Sequence, residues 1–171
     1  MTRALRLVRL AALLPLPLIE HLAQHTLNQV LIKHPNLFDR LDGHLAKRFG
    51  FVATDLGIAF VVVPATRTIR AVALNRFRRT GPWAPHALVS GPLPVLLSLL
   101  EGSLDGDAEF FSRALTVEGD MEAVLALRNA LDDAGIDLPS DLGAAAGPLA
   151  PLATQIARRA RSVMVSGAAW N

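Results

Sequence analysis

The chain has 171 residues, a formal net charge of +2 and a mean hydropathy of +0.36, with 51% of residues hydrophobic and 19% charged. That length suits one domain with a real core. The lack of Cys excludes disulfides, thiolate catalysis and cysteine-ligated iron–sulfur clusters.

At the amino terminus, Arg3, Arg6 and Arg9 precede an apolar run over residues 10–19. A cleaved signal peptide is one reading, but Pro15 and Pro17 interrupt the run and no small-x-small cleavage site follows. The run is about half of the ~20 residues that a bilayer span needs. Two other readings stay open. Arg3, Arg6 and Arg9 hold the segment on an anionic membrane surface with its leucines inserted, or the segment packs on the domain.

The stretch EHLAQHTLNQVLIKHPNLFDRLDG predicts a helix broken near Pro35 and a helical turn ended by Gly43. Phe49, Phe51 and Ala53 alternate with Gly50, Val52 and Thr54, the period of a strand. Residues 58–63 are β-branched and apolar, and residues 69–74 form a further short run. With turns at 55–57 and 64–68, the three runs predict an antiparallel meander. A loop follows, then a short strand over 87–89. Ser90 is placed to open a helix with Leu93, Leu96, Leu97 and Leu100 on one stripe and Gly102 after it.

Residues 114–118 alternate Leu115 and Val117 with Thr116 and Glu118, which predicts another strand. Gly119 permits a turn, Asp120 caps the next helix and Glu122 favours its positive end. Met121, Val124, Leu127, Leu131 and Ala134 recur at helical spacing, and Gly135 is the stop. A lone Gly beside carboxylates is a poor phosphate cradle. Residues 140–151, SDLGAAAGPLAP, read as a linker, and 152–165 as a basic amphipathic helix. The expected divisions are a helical segment at 1–44, a domain at 45–139 and the linker with its helix at 140–171. This order predicts an α+β domain, an antiparallel sheet with helices on one face.

Charge is unevenly placed. Residues 47–79 carry seven Lys or Arg against Asp55 alone, and residues 101–141 carry eleven Asp or Glu against Arg113 and Arg128. A basic region thus lies beside an acidic one.

The later motifs form an ordered set. A Leu-rich helix is followed by Asp105-Gly106-Asp107, then Phe110 and Phe111, then Arg113. A strand through Leu115 and Val117 comes next, and Glu118-Gly119-Asp120 opens a helix with Asn129 and Leu131. In this order the chain resembles the sterol carrier protein 2 domain family over roughly residues 45–135. Within it, the chain is similar to the branch of bacterial accessory factors for oxygen-independent ubiquinone biosynthesis. Ala114 departs from the basic residue of close relatives.

The resemblance implies helices over a five-stranded antiparallel sheet, an apolar tunnel, no catalytic residue and no cofactor. It implies a carrier of isoprenoid quinone precursors that works beside peptidase U32-type iron–sulfur hydroxylases. The expected location is the cytoplasm or the inner membrane surface. Burial of each CH₂ of such a ligand contributes about 0.8 kcal/mol. The expected lining is Phe60 and Val62 on the sheet and Leu96, Leu97 and Leu100 on the Leu-rich helix. Phe110 and Phe111 stand at the entrance, Leu115 is on the sheet, and Val124, Leu127 and Leu131 are on a lid helix.

Other classes have weaker support. A general lipid or fatty-acyl carrier fits the same residues. Arg67, Arg70, Arg76, Arg78 and Arg79 with Phe77 offer a nucleic-acid reading, but the aromatic interleaving is sparse. A lipid headgroup or a partner surface suits these arginines better, so no nucleic acid is expected. His21 and His25 have a metal-ligand spacing without an evident third ligand, so no metal is expected. The serines lack a G-x-S-x-G setting.

Overall fold

Short β-branched and aromatic runs become five strands, and the longer apolar stripes become helices. The structure is a computed structural model and describes residues 15–41, 43–100 and 114–136. The helices are α1 (Leu16–Lys33), α2 (Leu93–Leu100) and α3 (Met121–Ala134). The strands are β1 (Phe49–Ala53), β2 (Ile58–Val63), β3 (Thr68–Ala73), β4 (Ala87–Gly91) and β5 (Thr116–Gly119). Residues 1–14 and 137–171, with the expected linker and basic helix, lie outside the described residues.

The sheet has the order β3-β2-β1-β4-β5. Strands β1, β2 and β3 form the expected meander, with Phe51 opposite Phe60 and Phe60 opposite Ala71. Strand β5 is antiparallel to β4. The five-stranded sheet is mostly antiparallel, as expected, with one parallel pair, β4 beside β1. The cause is the connection after β3. Residues 74–86 leave one edge of the sheet and cross β2 and β1 before entering β4, which returns the chain in the direction of β1. Phe77, on this crossover, packs on Val52, Ala59 and Leu88 on the face away from the helices.

Two element bounds also differ from expectation. Ser90 does not cap a helix, because β4 continues through it, pairing Ser90 with Val52 and Thr116. Helix α2 starts at Leu93, whose N–H donates to Asp55 Oδ1 at 2.9 Å from the β1–β2 turn. Strand β5 begins at Thr116 rather than at 114, because Ala114 is still helical and the β4–β5 ladder starts at the Ser90–Thr116 pair.

Helix α1 begins earlier than its polar sequence announces. Pro17 sits in its first turn, where a missing N–H costs nothing. The helix lies along β3 and satisfies that strand's outer edge with side chains. Ala71 N–H donates to Glu20 Oε2 at 2.8 Å, and Ile69 N–H donates to Gln24 Oε1 at 2.9 Å. Gln24 Nε2 donates in turn to the Arg67 carbonyl. An otherwise open strand edge is thereby closed without another strand.

Helix α3 follows its sequence closely. Asp120 Oδ1 accepts from Ala123 N–H at 3.0 Å, and Gly135 ends the helix at φ 59°. Its buried stripe is Ala123, Leu127, Ala130 and Leu131.

Candidate functional site

The helix-covered face of the sheet carries the apolar interior. Alternation along β1 places Phe49, Phe51 and Ala53 there, and register brings Val62, Phe60, Ala87 and Val89 beside them. The interior has two clusters. One joins Leu31, Phe38 and Leu41 to Phe49, Leu127 and Leu131. The other joins Ala53 and Val89 to Val95, Leu96 and Leu99 of α2. Phe51 and Val124 are half-buried and touch both clusters.

The expected lining residues distribute over this interior. Leu96, Leu127 and Leu131 are buried, with 4%, 8% and 3% exposure. Leu97 and Val62 pack against the first cluster, and Phe60 and Leu115 against the second. Phe110, Phe111 and the side chain of Leu100 lie outside the described residues. So do Arg3, Arg6 and Arg9. A large apolar ligand would meet hydrocarbon here from β1, β2, α2 and α3 alike, with a contribution of roughly 25 cal/mol per Å² covered.

A polar corner that the sequence did not announce adjoins Phe49 and Ala87 of the first cluster. Lys47 Nζ lies 2.9 Å from Asp120 Oδ2. The Arg48 N–H donates to His86 Nδ1 at 2.9 Å, and Arg48 Nε donates to the Ala84 carbonyl at 2.6 Å. His86 returns through its own backbone: its carbonyl accepts from Asp120 N–H at 2.8 Å. The hydrogen bond that the Asp120 carboxylate accepts from Ala123 N–H, then Lys47, holds that carboxyl below its ordinary range. Partial burial of the ring, then the Arg48 and Lys47 charges, lowers the His86 pKa below the ordinary 6.5.

These contacts account for the Glu118-Gly119-Asp120 motif. Glu118 pairs with Arg79, and Asp120 caps α3 and holds Lys47. Gly119 has φ 88°, and a Cβ on it would stand 2.3 Å from the His86 carbonyl oxygen. The motif is an anchor for α3. The only early signal was its spacing before an amphipathic run, because Lys47 and His86 are remote in sequence.

The arginines between residues 67 and 79 do not form one line. Arg67 sits at a left-handed position with φ 53°, Arg70 is on the outer face of β3, and Arg79 pairs with Glu118. Arg76 and Arg78 line a cavity beneath the crossover. His21 and His25 are exposed on α1. Among the described residues, no three His, Asp or Glu side chains are grouped to hold a metal. No helix among them is long and apolar enough to cross a membrane.

The profile of the SCP-2 sterol transfer family matches residues 27–132. The fold is similar to a solved structure described as "UbiJ-SCP2 Ubiquinone synthesis protein", with TM-score 0.53 and 21% identity. That likeness covers 72% of this chain and 98% of the other. None of the curated proteins matches the chain.

Proposed function

Since the chain belongs to the SCP-2 sterol transfer family, we propose that it is a lipid carrier for ubiquinone biosynthesis and not a catalyst. The observation that carries this reading is the pair of apolar clusters bridged by Phe51 and Val124. They offer hydrocarbon on one side of the sheet with few polar groups, which suits a ligand held by its tail. The likeness to a ubiquinone synthesis protein supports an isoprenoid quinone precursor as cargo. Hydroxylases of the U32 type, working without oxygen, are the enzymes to which such a cargo would be delivered. Phe60, Val62, Leu96, Leu97, Leu115 and Val124 are the residues we assign to the cargo wall, with Leu127 and Leu131 packed in the core behind it. Arg3, Arg6 and Arg9 draw the protein to the anionic inner membrane from which the cargo comes.

The test is native mass spectrometry and lipid extraction of the full chain purified from its own host. A prenylated phenol or quinone in stoichiometric amount is expected. Fatty acids or phospholipids alone would favour a general acyl carrier. Nucleic acid without lipid would refute the reading.

A further inference from the structure

The crossover from β3 to β4 leaves a cavity of about 330 Å³ on the face of the sheet away from the helices. Val61 and Val72 line it from the sheet, and Phe77 and Trp83 from the crossover. Arg70, Arg76 and Arg78 line it as well. The Arg70 guanidinium lies over the Trp83 ring, 4.6 Å from its centroid. Arg78 Nη1 donates to the carbonyls of Asn75 and Phe77, which holds its guanidinium beside the cavity on neutral partners. Among the described residues, the ion pairs involve none of these three arginines, whereas nearby Arg79 has Glu118. Trp83 is 45% exposed at the cavity.

Three guanidinium groups around one apolar hollow repel one another until an anion joins them. Arginine forks onto phosphate oxygens, and an exposed Trp beside them suits a boundary that is wet on one side and apolar on the other. An anionic bilayer presents phosphate directly beside hydrocarbon. A nucleic-acid strand would need successive aromatic platforms. Here Phe77 is already engaged with Val52, Ala59 and Leu88, and Trp83 carries the Arg70 guanidinium on its ring. We propose that this cavity takes the phosphate headgroup of an anionic bilayer lipid, with Trp83 at the boundary between headgroups and acyl chains. The site lies on the opposite face from the cargo space and does not depend on the cargo reading.

The full chain has two Trp, so Trp170→Phe leaves Trp83 as the only indole. That protein is titrated with vesicles of equimolar phosphatidylcholine and phosphatidylglycerol, and with vesicles of phosphatidylcholine alone. Trp83 emission should shift to the blue with the anionic vesicles only. Arg70→Gln with Arg76→Gln should weaken partition roughly 25-fold at low salt, from about fivefold per arginine at an anionic surface. Arg40→Gln with Arg128→Gln removes the same charge elsewhere and should leave partition unchanged. If the first pair melts early, Arg76→Gln with Arg78→Gln carries the same expectation. Equal losses in the two pairs, or vesicle binding with no change at Trp83, would overturn the proposal. So would the same emission shift from inorganic phosphate alone, which would make the source a free anion. Arginine-dependent binding of a single-stranded oligonucleotide with no vesicle binding would assign the cavity to nucleic acid instead.

Discussion

Gly119 shows how much one position can carry. Its φ of 88° and the 2.3 Å between a notional Cβ and the His86 carbonyl oxygen leave no room for a side chain. Gly119→Ala should cost about 2 kcal/mol or more, read as a lowered midpoint in urea unfolding. Gly50 is a milder case, since a Cβ there meets Pro85 and the tip of Leu88. His86 and Asp120 set the acid sensitivity of the same corner. Both pKa values are lowered in the fold. Each group therefore stabilises the protein fully above its ordinary value, and that stability is lost as pH falls below it. The His86 loss begins near 6.5 and the Asp120 loss near 3.8, each extending to lower pH. Thermal midpoints should fall on acidification from neutral pH, and His86→Gln should flatten the upper part of that fall while leaving the lower part.

At the scale of elements, α3 separates packing from cargo. Leu127 is buried beside Leu31 and Phe38, whereas Val124 is half-buried where the two clusters meet. Leu127→Trp should therefore overpack, with a cost of roughly 1–3 kcal/mol in delipidated protein. Val124→Trp should lower co-purified lipid with a smaller change in melting temperature. Lipid content unchanged in Val124→Trp would remove α3 from the cargo wall. Much of this helix was legible in the sequence, because Asp120, Gly135 and the stripe between them are local signals. The strands 49–53 and 58–63 were legible for the same reason. The parallel pairing of β4 was not, since direction depends on the path of residues 74–86, and a Pro/Gly-containing loop does not declare which way it crosses. The start of α2 was missed because its cap, Asp55, comes from another turn. Of the candidate site, the apolar residues were legible by periodicity, while the polar corner joins residues 47, 48, 86 and 120 and has no local pattern.

Across the whole molecule, one sheet separates two chemistries. The helix-covered face is hydrocarbon, and the crossover face holds Arg70, Arg76 and Arg78, which have no ion pair among the described residues. A variant lacking residues 2–14 tests how far the amino terminus adds to membrane attachment, and it leaves α1 whole. It should sediment less with anionic vesicles at low salt, and the difference should shrink as salt rises. The closure of β3 by α1 has a kinetic consequence. The N–H groups of Ile69 and Ala71 sit on the outermost strand, yet their acceptors are the side chains of Glu20 and Gln24. Their protection from deuterium exchange thus depends on whether α1 is docked, not on whether the sheet is formed. Glu20→Ala should speed exchange at Ala71 while amides between β1 and β2 stay slow. Those two amides give a clock for the undocking of one helix, readable in the intact chain without any added label.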